Sequence, residues 1–320
     1  MRTVFLGTSE FASAVLERLA GDPSSSDRST APPAKPVVGQ HRPSLVITRP
    51  DRPAGRGRRL HAPPVANTAR TLGIELAQPE SVNEPSARER IASAAPDAVV
   101  VCAFGALISE PLLSDHEMLN VHPSLLPRWR GAAPIERAII AGDAETGVSI
   151  MRLTAGLDSG PVCLSAREPI EPTDTYGSLA PRLSRAGGKL LVSVLGAIER
   201  GEPLVFAEQD EQNATYAEKI GPSDRLLDPA RPAVELERVV RALHPHIGAR
   251  VALSGGTLLG VRRAALASPD TPPGEGVYAS EQRLLLACAP GTLELLVVQP
   301  PGKRPMDAAA YLRGHGLAGG

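Results

Sequence analysis

The sequence predicts an α/β domain on a mainly parallel sheet, followed by a small β-barrel domain. Three observations carry this expectation. Through the first two-thirds or so of the chain, short β-branched or apolar runs alternate with stretches whose apolar residues recur three or four apart, the pattern of strands and helices taking turns. The alternation stops at Gly201. Beyond it come one amphipathic stretch and several short strand-like runs separated by Gly and Pro turns.

In chain order, RTVFLG (2–7) reads as the first strand, and it begins without the charged, apolar and small regions of a leader peptide. SEFASAVLERLA (9–20) is the helix that follows it. Strands are expected at SLVIT (44–48), DAVVVCAF (97–104), MLNVH (118–122) and GVSIMRL (147–153). The intervening helices are PPVANTARTLG (63–73), SARERIASAA (86–95) and APIERAIIAGD (133–143), with Pro63 and Pro134 suited to a first turn. A further helix carries Leu183, Leu190, Leu191, Val194 and Ile198 on one stripe. The segment EPLVFAEQDEQNATYAEKI (202–220) reads as extended. PAVELERVVRAL (232–243) is helical, and ARVALS, GTLLGVRRA, RLLLACA and TLELLVVQP are the strands of the barrel. The expected division is a domain over 1–201, a linker over 202–214 and a second domain over 215–320. Asp22 to Pro43 stands outside the pattern as a Ser- and Pro-rich insertion with few large apolar groups.

At 320 residues, 42% hydrophobic and a formal charge of −1, the chain has the balance of a soluble globular protein. No run of eighteen apolar residues occurs, so no membrane span is expected. The near-neutral charge excludes a bulk polycation but leaves room for a local basic patch. Cys102, Cys163 and Cys288 form no CxxC and read as small core residues of a reducing compartment, which makes the cytoplasm the expected location.

Several chemistries are disfavoured. The first strand–helix turn, FLGTSEFA, has Gly7 alone where a dinucleotide fingerprint needs three glycines, and no phosphate-binding GxxxxGK[ST] occurs. His244 and His246 flank Pro245 without a suitable third ligand, so a turn is expected there and no metal site. Asn120 and His122 point elsewhere. Two apart on a strand, they share a face, and they lie at its carboxyl end, where open parallel sheets bind ligands. An amide donor and an imidazole there suit oxyanion stabilisation and proton transfer. The turn TAGLDSGP after the next strand offers Asp158 as the carboxylate to set the imidazole's protonation; as an isolated feature it is also an ordinary Asx turn.

The combination of LNVHPSLLPRWRGAAP, GDAETGVSIMRLTAGLDSGP and TRPDRPAGRGRRL resembles the methionyl-tRNA formyltransferases, a branch of the folate-dependent formyltransferases. The likeness runs from the first strand to VQPPGKRPM and omits only the insertion. It implies a Rossmann-like N-terminal domain and an OB-like C-terminal one. It implies a formyl transfer from 10-formyltetrahydrofolate to the α-amino group of initiator methionyl-tRNA, by a monomer needing no metal. Asn120, His122 and Asp158 fall on the family's catalytic positions, and Ser124, Leu125, Leu126 and Pro127 on its folate contact. Phe104 stands where many relatives have Tyr near the pterin, and Ser9 where a Pro is frequent.

The basic segment from Arg42 to His61 then reads as an arm for the tRNA acceptor stem, with Arg52, Arg56, Arg58 and Arg59 as contacts and Arg56 foremost. Arg128 and Arg130 suit either terminal phosphates or a structural role. Arg238, Arg241, Arg250, Arg262 and Arg263 would meet the RNA backbone from the second domain. A small-molecule formyltransferase would lack the arginine segment and second domain, and a non-catalytic RNA binder would be expected to have lost a site residue. Deleting Ser24 to Lys35 should leave the melting temperature nearly unchanged, because that composition buries no core. A large drop on thermal unfolding would show that the segment docks.

Overall fold

The computed structural model describes residues 1–21, 41–54 and 59–315. Its strands and helices run β1 (Thr3–Gly7), α1 (Glu10–Ala20), β2 (Leu45–Ile47), β3 (Arg52–Ala54), β4 (Arg59–His61), α2 (Pro64–Leu72), β5 (Glu75–Ala77), α3 (Pro85–Ser93), β6 (Ala98–Cys102), α4 (Leu112–Asp115), β7 (Met118–His122), β8 (Arg130–Gly131), α5 (Pro134–Ala141), β9 (Glu145–Arg152), β10 (Val162–Pro169), α6 (Tyr176–Glu199), β11 (Tyr216–Ala217), α7 (Ala233–Ala242), β12 (Ala249–Ala252), β13 (Leu258–Leu266), β14 (Val277–Ser280), β15 (Arg283–Ala287), β16 (Thr292–Gln299), β17 (Met306–Asp307) and α8 (Ala308–Gly314). They gather into two compact units. One comprises Met1–Ala132, Thr146–Glu168 and Ala180–Tyr216, so that residues 202–214 belong to it; the other comprises Ala133–Glu145, Pro169–Leu179 and Ala217–Gly320.

The first unit holds a seven-stranded sheet in the order β10-β9-β7-β6-β1-β2-β5. The pairs β1–β2, β1–β6, β2–β5 and β6–β7 are parallel. β1, β6 and β7 are buried along their whole length, which is why β1 and β6 read as near-continuous apolar runs. One face packs Val4, Leu6, Val99, Val101 and Met118 with Ile91 of α3 and Leu112 of α4. On the other, α6 comes so close that a Cβ on Gly187 would stand 2.9 Å from Val121. One expectation needs correction. GVSIMRL does not extend the parallel run: β9 lies antiparallel to β7, with Asn120 opposite Met151 and His122 opposite Ser149. A loop of a few residues follows α5, and β9 then enters from the end opposite to that of the parallel strands.

Local chemistry sets the helix ends. Ser9 is the N-cap of α1 and accepts from the Ala12 amide, a role that a proline there could not fill. Pro64 and Pro134 stand in the first turns of α2 and α5, and Pro63 is the N-cap of the former. Within the basic segment β3 and β4 pair antiparallel, and Arg56 and Arg58 lie outside the described residues, as does most of the Ser/Pro insertion.

The second unit is a half-barrel, an antiparallel sheet in the order β12-β13-β16-β15-β14, with β17 also paired to β16. Register shifts around Arg263 bend β13. Leu236, Val239 and Val240 of α7 and its C-cap Leu243 form one apolar cluster with Val251, Leu259, Leu284, Leu293 and Leu295. Among the described residues no helix is long and apolar enough to cross a membrane. Cys102 is buried, Cys163 and Cys288 are half-buried, and all three are free thiols.

His41 is buried in the first unit, and among the described residues neither ring nitrogen has a hydrogen-bond partner. Burial holds its imidazole below the ordinary value; the Glu199 carboxylate opposes this and the N-terminal ammonium adds to it. The unfolded chain therefore takes up the proton first, and stability falls as pH drops below about 6.5. Thermal unfolding at about pH 7.5 and about pH 5.5 should show this loss, and His41→Leu should lessen it. An equal loss in the variant would assign the acid sensitivity to other groups.

Candidate functional site

β7 is a buried strand that carries two polar side chains. Asn120 is 7% exposed and His122 4%, and both project from the face that holds Met118. Polar groups in such a place need partners; the Trp129 carbonyl bonds His122, and Asp158 bonds Asn120. Its Oδ1 accepts from Asn120 Nδ2 at 3.2 Å, its Oδ2 accepts from the Gly131 amide at 2.9 Å, and the same Oδ2 stands 3.6 Å from His122 Nδ1. The three candidates from the sequence thus meet, although not by the expected route. Because β9 runs against β7, its end lies beside Leu119, and the loop from Leu153 must double back to deliver Asp158.

The fold-back is tight. The Arg152 amide donates to Pro161 O at 2.9 Å, and a Cβ on Gly160 would stand 2.0 Å from Arg152 O. Asp158 itself sits at φ 46° and Trp129 at φ 61°, both in the left-handed region. Asp tolerates this conformation; for Trp it costs about 1–2 kcal/mol, so the surroundings must hold it. They do so through its main chain. The Trp129 amide donates to Thr215 Oγ1 at 2.9 Å, and its carbonyl accepts from His122 Nε2 at 2.9 Å.

That last bond fixes the imidazole. A carbonyl only accepts, so Nε2 carries a proton and Nδ1 is the nitrogen left for chemistry, facing the Asp158 carboxylate. Protonated at Nδ1 as well, the ring is an imidazolium paired with Asp158. The Asn120 amide is oriented by the same logic: its nitrogen faces a carboxylate, and only one of its two hydrogens is used in that bond. The site can therefore present an amide N–H and an imidazolium N–H around one carboxylate.

The expected folate segment is partly turned inward. Ser124 is fully buried, and its hydroxyl donates to Arg128 O at 2.6 Å. Leu125 lies over Gly147 of β9. Ser149, opposite His122, donates to Ser124 O at 2.8 Å and accepts from the Leu126 amide at 3.2 Å, which holds the turn to the sheet. Leu126 and Pro127 are half-buried. Phe104 is buried in the apolar cluster, and its carbonyl accepts from Thr8 Oγ1 at 2.7 Å.

Of the two arginines left open by the sequence, Arg130 is committed inside the protein. It is 1% exposed; Nη1 and Nη2 donate to the two Glu211 oxygens at 2.9 and 2.7 Å, and Nε donates to Gln209 Oε1 at 3.0 Å. The Glu211 bond raises its pKa further above the usual arginine range, with burial opposing and Tyr216 assisting. Terminal phosphates have no access to it. Arg128 is exposed, with its guanidinium 4.5 Å above the Trp129 ring. Sequence reasoning overlooked Gln209, Glu211, the Trp129 carbonyl and the Gly131 amide. The available signal was the acid and amide run EQDEQN, which complements the basic PRWR.

Arg52 is exposed and pairs with Glu80 at 2.6 Å. Arg59 begins β4, and Arg56 and Arg58 lie outside the described residues. In the second unit, Arg225, Arg250 and Arg262 line a cleft of about 510 Å³, and among the described residues no carboxylate lines it. Burial lowers the Arg225 pKa, and Arg250 and Arg262 lower it further. His246, also of the second unit, is bonded to Glu136 at 2.9 Å and stacked on Tyr176.

Comparison with known proteins places these features in a lineage. A profile described as formyl transferase matches residues 33–195, and one described as formyl transferase, C-terminal domain, matches 219–316. The chain is 42% identical over 323 aligned positions to methionyl-tRNA formyltransferase of Methylococcus capsulatus, covering 100% of this chain and 98% of that one. It is 40% identical to the protein of the same name from Thiobacillus denitrificans, with the same coverages. In fold it is similar to HypX from Aquifex aeolicus in complex with tetrahydrofolic acid, with a TM-score of 0.63, 16% identity, and 98% of this chain covering 47% of that chain.

The Gly160 contact makes a prediction about the fold-back loop. Gly160→Ala forces a methyl group onto the Arg152 carbonyl, and overpacking of this kind costs about 1–3 kcal/mol. Urea unfolding should show that loss, and an unchanged midpoint would mean that the loop yields without penalty.

Proposed function

The chain belongs to the methionyl-tRNA formyltransferase family, whose members formylate initiator methionyl-tRNA with formyl-tetrahydrofolate, and on that footing we propose that Asn120, His122 and Asp158 carry out the transfer from 10-formyltetrahydrofolate. The observation that carries the assignment is the convergence of Asn120 Nδ2, the Gly131 amide and His122 Nδ1 on the Asp158 carboxylate.

The chemistry follows from those groups. A free α-amino group has a pKa of about 8, and esterification of its own carboxyl lowers it, so a neutral nucleophile is available near neutrality. As its nitrogen bonds to the formyl carbon, the carbonyl electron pair moves onto oxygen. Asn120 offers its second amide hydrogen to that oxygen, and His122 offers the hydrogen on Nδ1. A preorganised donor of this kind contributes about 3–4 kcal/mol. Asp158 holds both donors, stabilises the imidazolium and accepts the proton shed by the amine, directly or through a water. The same proton returns to the departing folate nitrogen as the carbon–nitrogen bond breaks, so the site ends as it began. No redox step arises.

The segment Ser124–Pro127 is the proposed folate contact. With the Ser124 hydroxyl and Leu125 engaged internally, Leu126, Pro127 and main-chain groups are its available surface. For the tRNA, Arg52, Arg56, Arg58 and Arg59 are the proposed contacts of the basic segment. The Arg52–Glu80 pair is exposed on both sides and so is worth about 0–1 kcal/mol, little resistance to exchange for a phosphate. The cleft of Arg225, Arg250 and Arg262, with no carboxylate among its described lining residues, supports a further backbone contact in the C-terminal unit. Arg241 is the weaker candidate there, since it already pairs with Glu237 and donates to Asp174 O at 2.7 Å.

The direct test is formyl incorporation into charged initiator and elongator methionyl-tRNA. Asn120→Ala and His122→Ala should each lower kcat by about 100-fold or more, and Asp158→Asn should be at least as damaging. Turnover near the parent level removes that residue from the chemistry. Replacing Arg56, Arg58 and Arg59 together by Ala should flatten the salt dependence of kcat/KM and narrow the initiator-to-elongator ratio. If both stay as they were, the basic segment is only a solvated surface.

A further inference from the structure

Gln209 lies in a stretch that reads as linker, yet its side-chain amide is bonded at both ends. Nε2 donates to Asp158 O at 2.9 Å and to Gly160 O at 2.7 Å, and Oε1 accepts from Arg130 Nε at 3.0 Å. The orientation is unambiguous: the two carbonyls only accept and the guanidinium only donates. Arg130 is in turn clamped by both oxygens of Glu211. Its chain neighbours meet the reacting groups, with Trp129 O on His122 Nε2 and the Gly131 amide on Asp158 Oδ2. Arg130 thus reaches Asp158 by two routes, through Gly131 to its carboxylate and through Gln209 to its backbone.

The second route has a specific task. Asp158 occupies a left-handed backbone conformation between Leu157, which is 61% exposed, and Ser159. A turn of this kind keeps one geometry only when it is over-determined. A single amide bridging the carbonyls of residues 158 and 160 fixes the turn on either side of Ser159, and so fixes where the carboxylate points.

We infer that Gln209, held by the Arg130–Glu211 pair, is a positioning residue for formyl transfer, which it serves by locking the turn that aims the Asp158 carboxylate at Asn120, Gly131 and His122. This rests on the catalytic reading of the three residues. It concerns the step at which geometry matters most, where a displacement of about 1 Å costs on the order of 100-fold in rate.

Two variants separate positioning from mere bracing. Gln209→Glu keeps an acceptor for Arg130 but presents oxygen where two carbonyls need a donor. Gln209→Met loses both links. Steady-state kinetics on each should show kcat lowered about 10- to 100-fold, with KM for the folate and for the tRNA within about twofold of the parent. Hydrogen–deuterium exchange should show faster exchange of the Gly131 amide, whose acceptor is the Asp158 carboxylate, at a melting temperature close to the parent in the Glu variant. A Glu variant with parental kcat overturns the proposal, even where Met is impaired, because Arg130 would then need only a partner. Lowered kcat with unchanged Gly131 exchange also overturns it. Should Met fail to fold, Glu alone decides. If the parent protein transfers no formyl group, the catalytic reading fails by itself, and the Gly131 exchange still decides whether Gln209 places the carboxylate.

Discussion

A guanidinium removed from water has to be matched, and Arg130 is the largest side chain so removed. Its two partners, Glu211 and Gln209, lie about eighty residues away in sequence. Their pairing draws the segment after α6, which holds a short 3-10 turn over Glu211–Asn213, back onto the turn after β7. The chain on either side of Arg130 is then fixed as well, and that chain carries the carbonyl and the amide that meet His122 and Asp158. One buried charge therefore organises both the course of the backbone and the polar groups of the site. Its partner Glu211 remains largely exposed, and its pKa is held below the carboxylate range by the Arg130 bond.

Much of the fold was legible because its signals are local. Buried parallel strands such as AVVVC and TVFLG are apolar throughout, and α1 and α6 show a helical stripe. Orientation was not legible. Nothing in GVSIMRL distinguishes an antiparallel strand from a parallel one, since both need alternate burial on two covered faces and pairing direction is decided by the connection. β5, β14 and β17 are two to four residues long and too short to carry a period. In the site, Asn120 and His122 were visible as polar residues interrupting an apolar strand. Asp158 could be named from its turn, but its path could not. Gln209 and Glu211 stood in a visible acid and amide run, but which of its residues meet Arg130 depends on a tertiary contact that no local pattern encodes.

The antiparallel β9 also explains why the loop after it is dense in small residues. A strand running with β7 would end beside His122 and could offer a carboxylate directly. Running against it, β9 ends at the far side, so the chain has to retrace its path within about eight residues, Leu153 to Gly160, with Gly160 pressed against the strand it has just left. Close retracing excludes side chains on the inner wall and puts a left-handed residue at the tip. The cost of that conformation is met by N–H donors from outside the loop, Asn120, Gly131 and Gln209, so the loop's shape depends on its surroundings more than on its own sequence.

Trp129 is the only tryptophan in the chain, and it belongs to the segment that holds His122. Its ring lies beneath the Arg128 guanidinium, and its backbone is bonded to Thr215 on one side and to the His122 imidazole on the other. The emission of an indole depends on nearby charge and on contact with water. Excited at wavelengths that tyrosine does not absorb, the whole protein thus carries one native fluorophore, seated beside the imidazole. Arrival of a ligand, loss of Arg128 or a shift in the turn at Trp129 can each be followed optically without attaching a label.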